Sequence, residues 1–258
     1  HNSPRRQRQM CIRDRSKINP KIVYASVSAY GPDAPDGHLP GTDAVGQALS
    51  GIAEAYSIPG NNLRTGVASV ADESCAILTF GGILAAFINA QKTGKGQKLE
   101  TSLVGSAFRL LGWTMTTAMW SKRPPITGAR INGTRERPGI AACFNDVDGK
   151  PFALQLDPDD WQEAMKVLNF FDILTENGLI DLGLAFESEI KKTEILDKLA
   201  ELFSTDTRDN WISILRKADM ISTHVNTMLE ASDDPNIKEN NYVTEVWYPE
   251  LKKNMKVH

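Results

Sequence analysis

The spacing of apolar residues changes several times along the chain, and each change predicts an element. From Ile22 to Ser28, β-branched and small residues alternate, which predicts a buried strand. Ala29-Tyr30-Gly31-Pro32 ends it in a loop that runs to Thr42. Val45, Leu49, Ile52 and Ala53 then recur at helical spacing behind Asp43, which predicts a helix capped by that aspartate. Pro59-Gly60-Asn61-Asn62 reads as a turn. Between Ala71 and Gln91 apolar residues occupy most faces, so a long and largely buried helix is expected. Gly81-Gly82 in its middle cost stability relative to alanine and suggest close packing on another backbone. Gly94 supplies a left-handed C-cap. Gln97 to Thr101 reads as a strand, and Ser102 caps a helix to about Trp120 with Leu103, Phe108, Leu110 and Leu111 inside it.

The pattern then breaks. Residues Ser121 to Gly139 are rich in Pro, Gly and Arg and read as a linker. Beyond them come a strand at Pro151–Leu156 and helices at Asp159–Leu168, Glu187–Leu202 and Asp206–Lys217. A turn at Asp233-Asp234-Pro235-Asn236 leads to a strand at Val243–Trp247. There is no internal repeat. Alternation of strands with helices predicts the α/β class with a parallel sheet. The expected organisation is a large domain over 17–120, a linker over 121–139, a smaller domain over 140–235 and a return to the large domain over 236–258.

Composition narrows the function classes. The 258 residues carry 29 basic and 32 acidic side chains, a net charge of −3, which argues against a general nucleic-acid or membrane-surface binder. No apolar run of transmembrane length is free of polar residues. Cys11, Cys75 and Cys143 are scattered, with neither metal spacing nor a disulfide framework, and suit a reducing cytoplasm. His1 and His258 are terminal, which leaves few candidates for a histidine-based triad. Residues 1–16 differ from the rest: Arg5, Arg6, Arg8, Arg13 and Arg15 crowd a stretch poor in apolar residues. A basic arm and an Arg-rich transit peptide are two readings. The favoured one is a non-native leader, resembling translated adapter sequence around Gln9–Arg15, so that the native gene would begin upstream of Lys17 and the chain would be a fragment.

The chemically informative stretch is Val70-Ala71-Asp72-Glu73-Ser74-Cys75, which puts a carboxylate at the start of the long helix. The helix dipole favours an anion there. Asp72 can serve as an N-cap, or as a nucleophile held ionised in a cleft. Cys75 lies one turn on and reads as a small buried hydrophobe rather than a second nucleophile.

Several short stretches, in this order and spacing, resemble CoA-transferase family III, the CaiB/BaiF family. They are Asn19-Pro20-Lys21-Ile22-Val23-Tyr24-Ala25-Ser26, Ala29-Tyr30-Gly31-Pro32, Gly41-Thr42-Asp43-Ala44, Gln47-Ala48-Leu49-Ser50-Gly51, Val70-Ala71-Asp72, Gly81-Gly82-Ile83-Leu84-Ala85-Ala86 and Thr93-Gly94-Lys95-Gly96-Gln97. A fainter match continues through Trp211, Asp219 and Asp234-Pro235. The resemblance implies a partial Rossmann-like large domain with a parallel sheet, a smaller α/β domain, and two chains threaded through one another as an interlocked homodimer. It also implies that the family's N-terminal portion, with much of its adenine and pyrophosphate site, would precede Lys17.

The implied chemistry is transfer of CoA between an acyl-CoA thioester and a carboxylic acid. Coenzyme A thioesters are then substrates, with no permanently bound cofactor and no metal. Asp72 matches the family's nucleophile, which passes through a mixed anhydride and an aspartyl-CoA thioester. Ser28, Ala29, Tyr30 and Gly31, ending a strand at the ligand-binding edge, would line the CoA arm near Asp72, or form an ordinary turn. Thr42 would contact the acyl group, or cap the following helix. The family's racemases need a histidine where Thr42 stands and a glutamate where Asn145 stands, ahead of Asp148-Gly149. Neither Thr nor Asn moves protons near neutral pH, which counts against that alternative. The formyl-CoA transferases carry a tyrosine at the Thr42 position and a glycine-rich lid where this chain has Gly133-Thr134-Arg135-Glu136-Arg137. Arg130, Arg135 and Arg137 suit a CoA phosphate or a solvated linker. His38 is expected to be exposed and His224 structural. A truncated, non-catalytic CoA-binding chain is the remaining alternative.

Overall fold

The computed structural model describes residues 14–57, 66, 68–122, 131–133, 138–157, 159–176 and 188–257. The chain divides into two units between Gly128 and Ala129. The turn expected at Pro59–Asn62, Cys11, and Arg130, Arg135 and Arg137 lie outside the described residues.

The first unit is built on a parallel strand pair. Strand β1 (Tyr24–Ser28) aligns with β2 (Lys98–Ser102), from Tyr24 opposite Lys98 to Ser28 opposite Ser102. Parallel strands need a long crossover. Here it holds α1 (Asp43–Ser50), α2 (Ile52–Ala55) and α3 (Val70–Thr93). After β2 come α4 (Leu103–Leu110) and α5 (Gly112–Ser121). The single helix expected from Ser102 to Trp120 is two, because Gly112 adopts φ +50° at the joint. Ser102 does cap α4, its Oγ accepting from Gly105 N at 3.1 Å. Gly94 does end α3 in the left-handed region, at φ +74°. Residues 14–18 form a helical turn from which Arg15 lies over the Tyr24 ring.

Two burial expectations fail in this unit. Strand β1 is not buried: its residues alternate between partly buried and exposed, and Val27 is 53 % exposed. Among the described residues it pairs along one edge only, with β2. Helix α3 is long, as expected, but its buried residues are the small ones, Ala71, Ser74, Cys75, Thr79, Ala86 and Ala90. Those let it lie close to β2 and α4. Its bulky residues Ile77, Phe80, Leu84, Phe87 and Ile88 face outward. A Cβ added at Gly81 meets nothing within 4 Å, and one at Gly82 makes only ordinary contact with Leu99, so neither glycine marks a close backbone approach among the described residues. By length and composition alone α3 is long and apolar enough to cross a membrane. Cys75 is buried, and its thiol donates to Thr101 Oγ1 at 3.7 Å, beside a 2.6 Å bond between Thr79 and Thr101. The reading of Cys75 as a small packed residue therefore holds.

The second unit differs from the expected alternation. Strands β3 (Ile131–Gly133), β4 (Pro138–Asn145), β5 (Pro151–Leu156) and β6 (Ile221–His224) form one antiparallel sheet in that order. The parallel arrangement is thus confined, among the described residues, to β1 and β2. Strand β3 and the start of β4 fall inside the stretch expected to be linker. Helices α6 (Trp161–Val167), α7 (Phe171–Glu176), α8 (Glu189–Phe203) and α9 (Arg208–Lys217) accompany the sheet. The core centres on Phe203, fully buried, with ring centroids 4.9, 5.1 and 5.4 Å from Phe144, Phe152 and Trp211. Two short helices, α10 (Met228–Asp233) and α11 (Pro235–Glu239), lead to the hairpin of β7 (Thr244–Tyr248) and β8 (Lys253–Val257). The segment 236–258 clusters with this second unit.

Asp146 ties the β4–β5 turn to α9. It is 4 % exposed. One carboxylate oxygen accepts from the N–H groups of Asp148 and Lys150, at 2.9 and 2.8 Å, and the other from Arg208 N at 2.8 Å. Burial pushes this carboxyl up, but the three backbone donors and the Lys150 ammonium outweigh it and hold it below the ordinary 3.8. A carboxyl depressed in the folded state adds stability above its unfolded value, and that stability is lost as pH falls through the folded value. The expected result is that Asp146→Asn costs about 1–3 kcal/mol at neutral pH. Its unfolding free energy should also fall less steeply than wild type as pH drops below 3.8. Urea unfolding across an acid pH series checks this; parallel curves for the two proteins would refute the assignment.

Candidate active site around Asp72

Asp72 is the third residue of α3 and is exposed. It is not the N-cap. Ser69 holds that position and offers no side-chain cap. The capping carboxylate comes from another helix: Asp43 Oδ1 accepts from Ala71 N at 2.7 Å and from Asp72 N at 3.2 Å. The expectation that Asp43 caps its own helix is corrected accordingly. Asp43 is the first residue of α1, behind Thr42, and its carboxylate reaches across to α3.

Two features hold α1 in place for this. A Cβ at Gly46 would sit 2.5 Å from Ala71 Cβ and 3.2 Å from Leu103 Cβ, so only glycine lets α1 lie this close to the start of α3. Gln47, one turn after Asp43 and 1 % exposed, clamps the approach to α3. Its Nε2 donates to Asp43 Oδ2 and to Ala68 O at 3.2 Å, and its Oε1 accepts from Gly66 N at 2.7 Å. The other N–H groups of the first turn are also engaged: Val70 N donates to Ala68 O and Glu73 N to Ser69 O, at 2.8 and 2.9 Å.

The strand-end residues lie alongside. Ser28 Oγ accepts from Gly31 N at 3.2 Å, making a turn at the end of β1, and Gly31 takes φ +104°. Ala29 O accepts from Val104 N at 3.0 Å, fixing the turn to the start of α4. A Cβ at Gly41 would sit 2.5 Å from Ala29 Cβ and 3.4 Å from Tyr30 Cε2, so the loop leading to Thr42 lies on Ala29 and Tyr30. Thr42 is exposed at the N-cap position of α1, and its hydroxyl makes no cap bond. Ala29 and Tyr30 thus lie beside Gly41, Thr42 precedes Asp43, and Asp43 reaches the backbone of Asp72.

Other candidates stand elsewhere. His38 is exposed in the loop before α1. His224 belongs to the second unit, where its Nε2 is 2.7 Å from Asp209 Oδ1 beside Arg216 and Lys217. Asn145 ends β4, also in the second unit, and is exposed. Among the described residues no group of three or more His, Cys, Asp or Glu is placed to hold a metal ion. Asp43 and Gln47 were missed by sequence reasoning as contributors. Their signal was two polar residues one turn apart on the helix face that also carries Gly46 and Ser50.

Comparison with known proteins settles the lineage. The sequence profile of CoA-transferase family III matches residues 5–258. The chain belongs to CoA-transferase family III. The match takes in residues 5–16 of the Arg-rich stretch that reads as a non-native leader. The chain is 30 % identical over 141 residues to the acetyl-CoA:oxalate CoA-transferase of Acetobacter aceti, covering 51 % of this chain and 36 % of that protein. It is 23 % identical over 242 residues to the human succinyl-CoA:glutarate CoA-transferase, covering 93 % of this chain and 53 % of that one. The chain thus spans about half or less of the length of these curated relatives. In fold it is similar to a CaiB/BaiF family protein from Brucella suis, with TM-score 0.69 at 19 % identity over 89 % of this chain and 59 % of that one. The family's mixed α/β fold with a parallel sheet is therefore the fold of this chain.

Proposed function

We propose that this family III chain transfers CoA between an acyl-CoA thioester and a carboxylic acid, with Asp72 as the nucleophile. The observation that carries the reading is an exposed carboxylate in the first turn of α3 that does no capping. Its oxygen attacks the thioester carbonyl carbon, the C–S bond breaks, and CoA leaves as the thiolate. The resulting mixed anhydride is attacked at the Asp72 carbonyl carbon by that thiolate, which releases the donor acid as its carboxylate. The aspartyl-CoA thioester then reacts with the acceptor carboxylate by the same two steps in reverse. Each step exchanges one activated acyl group for another, so no oxidant, metal or permanently bound cofactor is called for. The helix N-terminus favours the anion before attack. Ser28, Ala29, Tyr30, Gly31 and Thr42 line the approach in this reading. A racemase would need a proton carrier at position 42, where Thr42 stands.

We read the working form as a homodimer. The support is the outward stripe of Ile77, Phe80, Leu84, Phe87 and Ile88, with open space at Gly81 among them. An apolar stripe of this kind calls for a covering surface. Light scattering tests it: a mass of twice the chain is expected, and a folded monomer would refute it. Free Cys75 and Cys143 suit a cytoplasmic setting. The transfer itself is tested by intact-mass spectrometry of the chain with mixed acyl-CoA thioesters and hydroxylamine. A trapped hydroxamate at Asp72, absent from Asp72→Ala, is expected; no adduct on a folded chain would overturn the reading.

A further inference from the structure

The mechanism above leaves unexplained why Asp72 keeps its carboxylate free, and the inference that follows rests on that mechanism and deepens it. The first turn of a helix exposes N–H groups. An aspartate there readily turns its own side chain onto them. A carboxylate held by two or three backbone donors is strongly stabilised as the anion, which makes it a poor nucleophile. At the start of α3 these donors are already taken. Ala71 N and Asp72 N donate to Asp43 Oδ1, at 2.7 and 3.2 Å, while Val70 N and Glu73 N donate to the carbonyls of Ala68 and Ser69. Asp43 is itself fixed through its other oxygen by buried Gln47, whose remaining bonds run to Gly66 and Ala68.

We propose that Asp43 is a positioning residue that caps α3 in place of Asp72 and so leaves the Asp72 carboxylate free to attack the thioester. Two effects follow from this one contact. The α3 donors are satisfied without Asp72. The Asp43 carboxylate, reaching from α1 onto this turn, also repels the Asp72 carboxylate from the same backbone groups.

The test uses the full chain, Asp43→Ala and Asp43→Asn. Asn keeps an oxygen that can face both N–H groups, but it removes the charge and turns an NH2 group toward Gln47 Nε2 where Oδ2 accepted. Two readouts are taken: the rate at which hydroxylamine traps acyl transfer at Asp72 under saturating acyl-CoA, and the 13C resonance of the Asp72 carboxyl, assigned with Asp72→Asn. Asp43→Ala is expected to slow trapping by about 10- to 100-fold, with half-saturating acyl-CoA changed by less than about twofold. The Asp72 carboxyl resonance should move as that group takes over the vacated N–H groups. Asp43→Asn should recover part of the rate and show a smaller resonance shift than Asp43→Ala, because it keeps the capping oxygen but not the charge. An Asp72 resonance unmoved in Asp43→Ala, or trapping at the wild-type rate, overturns the proposal. If the wild-type chain traps nothing, the transfer reading fails and the resonance alone decides the role of Asp43. If Asp43→Ala does not fold by circular dichroism, Asp43→Asn decides it: slower trapping together with a displaced Asp72 resonance upholds the proposal, and both at the wild-type value overturn it.

Discussion

Replacing Asp72 by Asn is expected to lower CoA transfer by about 10⁴-fold or more, the scale of removing a covalent nucleophile. An amide of nearly the same size keeps the volume but is a far weaker nucleophile toward a thioester. The folded state should hardly notice. Asp72 is exposed, and its α3 turn is closed by Asp43 rather than by its own side chain. The unfolding free energy should therefore change by less than about 0.5 kcal/mol, the usual range for a surface substitution. Steady-state transfer assays beside denaturant unfolding measure both numbers. Retained transfer would remove Asp72 from the mechanism. A large loss of stability would mean instead that the side chain caps the helix.

The second large effect lies in the other unit. Phe203→Ala should cost about 3–5 kcal/mol, the range for emptying a buried aromatic site. Phe203 has no exposed surface, meets the rings of Phe144 and Phe152 from the sheet and of Trp211 from α9, and its carbonyl accepts from Trp211 Nε1 at 3.0 Å. Removing the ring opens a cavity that three rigid aromatics cannot close. Phe203→Leu should cost clearly less, since much of the volume stays. Thermal unfolding followed in the aromatic region of the circular dichroism spectrum checks the order. A change below about 1 kcal/mol for the alanine variant would show that the site collapses.

These two residues also show what the sequence revealed. Asp72 was visible because a charge interrupts an apolar helix, and because the short motifs around it resemble one family. Phe203 sits one residue beyond the helix end read from the sequence, since periodicity marks that an element exists better than it marks where the element stops. Strand β5 was read with its observed ends, because Phe152, Leu154 and Leu156 are buried in strict alternation and Pro151 bounds them. Strand β4 was missed where its apolar residues follow a Pro- and Gly-rich stretch. The antiparallel order of β3 to β6 was missed because pairing is a property of partners, not of one segment. The length of α3 was legible, but its burial was not: apolar composition does not say which face is covered, and here the small residues turn inward. The contact of Asp43 with Asp72 was out of reach for the same reason. It joins residues 29 positions apart, across two helices, and the polar face of α1 that carries Asp43 does not say which element it meets.

Dividing the work between Asp43 and Asp72 also has an evolutionary consequence. Reactive residues commonly tie a protein's stability to its activity, so that neither can change alone. In the proposed mechanism the carboxylate that secures the helix and the carboxylate offered to substrate belong to different residues. Position 72 would thereby be relieved of structural duty, and drift there filtered by chemistry alone. A descendant could surrender the reaction in a single substitution and still inherit a sound scaffold, whereas loss of Asp43 would put both at risk together.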